Sequence, residues 1–253
     1  MRRARDRRVA LLAALGASAL LGAPQMADAG ALDGRVILVD AGHNGRNWSR
    51  PDVIGRQVWA GNRYKDCDTT GTASASGYDE SAYNWDVARR LTIVLQRMGA
   101  RVVLTRRGDG GVGPCIDRRA RIGNRAHADV AISIHADGND APSARGFHVI
   151  RPLLVRGYND GIPVPSRRLA RLVRDAFHAR TGMPLSTYVG TAGIIARDDL
   201  GGLNLSRVPK VLVETGNMRN ARDMRLLGSP AWRARAARAL AAALRSYLAP
   251  PSA

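Results

Sequence analysis

Three stretches of this chain are nearly continuous apolar runs that end on a polar residue. Val36-Ile37-Leu38-Val39 runs into Asp40, Val130-Ala131-Ile132-Ser133-Ile134 into His135, and Val211-Leu212-Val213 into Glu214. Such runs predict strands buried on both faces, as in a parallel sheet covered by helices. In open sheets of that kind, chemistry collects at the carboxyl ends of the strands. The residues at those ends therefore carry the functional question.

Helical periodicity fills the intervals. Tyr83, Val87, Leu91, Val94, Leu95 and Met98 recur at helical spacing after Glu80, and Gly99 is a natural stop. A second helix is expected over residues 116–128. A third is expected to be capped by Ser166 and to run to about Thr181. A fourth starts at Ser229-Pro230 and ends before Pro250. Arg101 to Thr105, Gly146 to Arg151 and Ile194-Ile195 complete the strand candidates. This alternation predicts an α/β fold with a mostly parallel sheet and helices on both faces.

The amino terminus is read separately. Five arginines within residues 1–8 precede an apolar run from Val9 to Leu21, and Ala27-Asp28-Ala29 has the small-x-small pattern of a cleavage site. Residues 1–29 are thus expected to be a signal peptide, and 30–253 one catalytic domain. The apolar run is short for a span, which needs roughly 20 residues, so stable membrane insertion is not expected. The location implied by such a leader is periplasmic or secreted.

The full chain carries 39 basic and 21 acidic residues, a net charge of +18. Removing the leader's five arginines and two aspartates leaves +15. Such a charge favours polyanionic partners: wall polymers, anionic headgroups or acidic peptides. It also follows from an arginine-rich composition, since only Lys65 and Lys210 are lysines. Nucleic acid is not expected as a partner. Export puts it in the wrong compartment, and the aromatic interleaving of single-strand readers is missing.

Cys67 and Cys115 are the two cysteines. An even count in an exported chain predicts a disulfide, and neither has a nearby His or Cys at metal-ligand spacing. Residues 44–79 read as a long Gly-, Asn-, Thr- and Ser-rich loop, a kind that is often functional. It leaves His43 and returns at Glu80. With Trp48, Trp59 and Tyr64 it is expected to pass the rim of a cleft and narrow it.

His43 follows the first run on a turn that Gly42 permits, and His135 follows the second. Two imidazoles, one carboxylate and an open fourth position make a catalytic zinc set. Glu80 is the natural third ligand; its ordinary role would be to complement the helix dipole. Glu214, after an apolar strand, has an obvious task as general base near such a metal, or else pairs with one of the many arginines. Asp40 is placed to orient a ligand or hold the turn. Asn217 and Asn220 suit the cap of a following helix. His127 and His178 read as solvated, whereas His148 sits within a strand that faces either the core or the cleft.

Four ordered blocks carry a resemblance: Val39-Asp40-Ala41-Gly42-His43, Glu80 with Asn84, Ser133-Ile134-His135-Ala136-Asp137, and Val213-Glu214-Thr215-Gly216-Asn217-Met218. Together they resemble the zinc-dependent N-acetylmuramoyl-L-alanine amidases of bacterial cell walls. The resemblance implies a sheet of about six strands and a zinc held by His43, Glu80 and His135. It implies Glu214 as catalytic acid–base and cleavage between muramic acid and L-alanine. Peptidoglycan or its muropeptides would be the partner. No separate wall-binding module is legible, so targeting is expected to come from the catalytic domain or its charge. The oligomeric state is not legible, a monomer being the simplest expectation. The rival functions are a zinc peptidase cutting within the stem peptide and a non-catalytic wall-binding protein.

Overall fold

Six of the strands align side by side in one sheet. The structure, a computed structural model, describes residues 29–250. Of the expected signal peptide at residues 1–29, all but Ala29 lies outside the described residues. In chain order the elements are β1 (Val36–Ala41), a 3-10 turn (Asn47–Ser49), α1 (Pro51–Ile54), β2 (Gln57–Trp59), β3 (Tyr64–Asp66), α2 (Glu80–Arg97), β4 (Arg101–Leu104) and α3 (Ile116–Arg125). They continue with β5 (Val130–Asp137), β6 (His148–Pro152), α4 (Pro163–Thr181), β7 (Ile194–Arg197), α5 (Gly201–Asn204), β8 (Lys210–Asn217), α6 (Ala221–Leu227) and α7 (Pro230–Leu248).

The sheet order is β4-β1-β5-β8-β6-β7. The first four strands are mutually parallel; β6 runs antiparallel to β8 and parallel to β7. The mostly parallel six-stranded α/β sheet is therefore as expected. Alternate residues of the central strands face opposite ways. Ile37, Val39, Val130, Ile132, Ile134, Val211 and Val213 pack with Leu91 and Leu95 of α2, Leu169 and Val173 of α4, and Leu240 and Leu244 of α7 in the main core. The opposite face carries a smaller cluster of Leu38, Ala128, Ala131 and Val208 against Ile122 of α3. There α3 lies close to the sheet, because a Cβ on Gly123 would come within 2.7 Å of Leu38. The second face is thinner, and it leaves room for a site.

Several boundaries differ from expectation. Strand β5 extends to Asp137, so His135 stands inside the strand rather than beyond it; β8 contains Glu214 but runs on to Asn217, three residues further than expected. α4 begins at Pro163, three residues before Ser166. Proline suits the first turn, and the Ser166 hydroxyl is buried instead, accepting from the Lys210 backbone N–H at 3.1 Å. Asn220, not Asn217, caps α6, accepting from the N–H groups of Arg222 and Asp223.

Residues 44–79 are not structureless. They hold the 3-10 turn, α1 and the β2–β3 hairpin. Elements of three or four residues are too short for hydrophobic periodicity to register. Cys67, just after β3, is bonded to Cys115 at the start of α3, as expected. Among the described residues, no helix is long and apolar enough to cross a membrane.

Candidate metal centre

Glu80 stands between the two histidines. Its Oε1 lies 2.9 Å from His135 Nδ1 and its Oε2 lies 3.4 Å from His43 Nε2. Three ligand atoms, one from each residue, lie within 4.8 Å of one another. Three distant elements deliver them: the turn after β1, the first residue of α2, and the end of β5. The first position demands an unusual backbone, for His43 has a φ of 55°. Non-glycine residues in that region are uncommon and gather at functional sites.

Two glycines make the close approach possible. A Cβ on Gly42 would fall 2.1 Å from the His135 ring. Gly71 has a φ of +79°, and a Cβ there would lie 2.8 Å from both Glu80 Oε2 and the His43 ring. The carboxylate is further held by the N–H of Thr72, which donates to Oε2 at 2.9 Å, and by Asn84, which donates to Oε1 at 3.3 Å.

His43 is fixed from behind. Its Nδ1 donates to the Thr69 carbonyl at 3.0 Å and lies 3.3 Å from Asp68 Oδ1, which leaves Nε2 facing Glu80. Ligating histidines are commonly oriented in this way by a partner on the other ring nitrogen. Arg119 ties the whole corner together. It donates to Asp40 Oδ1 at 3.0 Å, to the carbonyls of Ala41 and His43, and to Asp68 Oδ2 at 2.9 Å. Asp40 does hold the turn, then, but through Arg119. It also accepts from Lys210, Thr105 and Ser133.

The electrostatics favour a cation among these groups. Burial disfavours the charged form of His43, yet Glu80 and Asp68 outweigh it and raise the imidazole to about 10. Burial would likewise raise Glu80, but the two histidines hold it well below the ordinary carboxylate range. Imidazole nitrogens and one carboxylate oxygen are the donor set of a catalytic zinc, so the residues fit that ion.

Glu214 faces the same cleft, lined also by His43, Thr72, Glu80, His135 and Asp137. It is the register partner of His135 across β5 and β8. Burial, Glu80 and Asp137 push its carboxyl well above the ordinary range. A cavity of about 400 Å³ adjoins the site beneath it, between the sheet, α3, α5 and the hairpin; Lys65, Leu200, Leu203 and Leu212 help to line it. Residues 44–79 therefore do run along the rim: Thr69, Gly71 and Thr72 line the cleft, and Lys65, Asp66 and Asp68 line the cavity. Trp48 is 73% exposed and does not close over the site. Trp59 stacks edgewise with Tyr64 and donates to the Tyr158 hydroxyl at 2.7 Å. His127 and His178 are exposed, whereas His148 is buried.

Sequence reasoning missed Asp68, Thr69 and Arg119. They lie in a loop and on a helix flank with no motif of their own. Lys210 carried a signal, as one of only two lysines and the opening residue of an otherwise apolar strand.

A mostly parallel α/β sheet with a His–Glu–His cluster at the carboxyl ends of its strands defines a protein with a candidate catalytic metal centre. Residues 37–246 match the family model described as N-acetylmuramoyl-L-alanine amidase, and the chain belongs to that family. It is 40% identical over 220 residues to the N-acetylmuramoyl-L-alanine amidase Rv3717 of Mycobacterium tuberculosis, covering 85% of this chain and 87% of that protein. Its structure is similar to the amidase Ami1 of Mycobacterium smegmatis, with a TM-score of 0.80, 38% identity, and coverage of 86% of this chain and 98% of that one. It is equally similar to the apo form of Ami1 from Mycobacterium abscessus, with a TM-score of 0.80, 40% identity, and coverage of 86% and 100%.

Proposed function

We propose that this protein is an exported zinc amidase that cleaves the bond between N-acetylmuramic acid and L-alanine in peptidoglycan or its fragments. One observation carries the reading: His43, Glu80 and His135 converge on a cleft that Glu214 also lines. Family membership names the bond, the donor set fits zinc, and the leader pattern with the Cys67–Cys115 disulfide supports export.

His43, Glu80 and His135 would hold the ion. When bound, zinc supplies Lewis acidity, polarising the scissile carbonyl and acidifying water. Glu214 accepts the proton from the attacking water and delivers it to the departing L-alanine nitrogen, so the carboxylate is regenerated each turnover. A carboxyl whose ordinary affinity for protons is raised by burial suits the second half of that task. A cation held by His43, Glu80 and His135 would oppose the same shift, leaving Glu214 in the carboxylate form needed for the first half.

The test is digestion of purified muropeptides by the mature protein with zinc, followed by mass analysis of the products. Release of a stem peptide with a free L-alanine amino terminus, beside an intact lactyl sugar, is the expected result. Cuts within the stem would instead identify a peptidase. Zinc and wall binding without any release would identify a binding protein.

A further inference from the structure

His148 is buried and so far without a task. It lies on β6, directly paired with Glu214 of β8, which is in turn paired with His135 of β5. His135, Glu214 and His148 thus form one row across three adjacent strands. Directly paired residues project to the same face, with Cβ atoms roughly 4.5–5.5 Å apart in antiparallel pairs. His148 therefore stands beside Glu214, on the side away from the metal cluster.

Among the described residues, five buried side-chain polar atoms lack a hydrogen-bond partner, and two of them are His148 Nδ1 and Glu214 Oε2. Native proteins rarely leave such atoms unpaired. Here the two are cross-strand neighbours of complementary chemistry. Burial holds the His148 imidazole down to about 4, against the pull of the Asp137 carboxylate and with a contribution from Arg197. At neutral pH the ring is neutral, with one N–H to give. A carboxylate oxygen accepts. The Tyr188 ring stands perpendicular to that of His148, with centroids 6.1 Å apart, and the Tyr188 hydroxyl donates to Asp137 at 2.8 Å.

We propose that His148 is a positioning residue for Glu214: its Nδ1–H donates toward Glu214 Oε2, with at most one water between them, and so aims the carboxylate into the cleft. The role rests on the reading of Glu214 as proton carrier. Holding one oxygen leaves the other free to exchange its proton with water and leaving group. Without the donor, the carboxylate rotates and the exchange geometry is lost, while the metal ligands stay where they are.

Two measurements test it. Side-chain nitrogen NMR on the zinc-loaded mature protein, where the cation keeps Glu214 in its accepting carboxylate form, reports which ring nitrogen of His148 carries the proton. The expected result is Nδ1–H in the native chain, lost in Glu214→Ala. An Nε2–H ring, or one indifferent to Glu214→Ala, overturns the proposal. In kinetics on the zinc-loaded enzyme, His148→Leu is expected to lower kcat on the order of tenfold, within the range for outer-shell partners. KM and zinc content should stay unchanged, and His148→Asn, which restores a donor near Nδ1, should recover most of the loss. Equal losses in Leu and Asn variants, or none in either, would also overturn it. Failure of the amidase reading is separate: it shows as a native protein that releases no stem peptide, and the NMR result is read regardless.

Discussion

Lys210 Nζ lies 2.9 Å from Asp40 Oδ2, and both side chains are almost wholly removed from solvent. Arg119 approaches the other oxygen of the same carboxylate. One buried anion thus joins β1, β8 and α3 beneath the candidate metal centre. Asp40→Asn would leave buried Lys210 without its countercharge and Arg119 with Asp68 alone, and breaking such a buried pair costs about 3–5 kcal/mol. Urea denaturation at neutral pH is expected to show that loss.

The same carboxylate sets an acid response. Burial opposes its charge, but Lys210 and Arg119 prevail and hold the Asp40 pKa far below the ordinary value of 3.8. A folded-state pKa below the unfolded one gives stability that is present above the unfolded value and lost as pH falls. Asp68 acts in the same direction, being lowered to about 2. Native stability is therefore expected to fall steadily as pH drops below about 4. Asp40→Asn should flatten that slope; an unchanged slope in denaturation curves from pH 5 to pH 2 would count against the assignment.

Metal content should be about one zinc per mature chain, as three protein ligands and an open position imply. His43→Ala and His135→Ala are expected to lose both zinc and activity. Elemental analysis of the double variant decides the matter, since full occupancy there would place the ion elsewhere.

Glu214→Gln should keep the fold and the zinc but lose turnover by about 10²–10⁴-fold, the usual contribution of a general acid–base. Thermal melts and zinc content matching the native protein, together with near-native kcat, would make Glu214 a structural residue.

Gly42→Ala is a sharper probe of the cluster than its chemistry suggests. The added methyl would collide with the His135 ring at 2.1 Å, so either the ring or the turn after β1 must move. A drop in zinc affinity of about 10–100-fold, comparable to loss of an outer-shell partner, is expected. Competition with a zinc chelator measures it.

The Cys67–Cys115 bond closes a loop over a sequence separation of 48 and holds the residue next to Asp68, which backs His43. Replacing both cysteines by serine should cost about 2–4 kcal/mol of stability. It should also weaken zinc binding, through looser placement of Asp68 and Thr69. A double variant with unchanged denaturation midpoint and zinc affinity would show the loop to be held by its other contacts.

What the sequence determined by itself are the features encoded locally. Apolar runs at Val36, Val130 and Val211 made strands because every position there is buried, and the spacing after Glu80 made a helix because one face is. Blocks of adjacent residues such as Asp40 to His43 marked the strand ends, so the types and order of the candidate ligands were legible. Only the tertiary structure decided what depends on distance between segments far apart in the chain. It joined Asp68, Arg119 and Lys210 into the support beneath His43, although they lie 51 and 91 residues apart along the chain. It turned the loop before Glu80 into a hairpin and short helices that periodicity cannot detect. Most sharply, it set the register that brings His135, Glu214 and His148 into one row. Strand register is fixed by pairing across the whole sheet, and a shift of one residue would have turned each side chain to the opposite face.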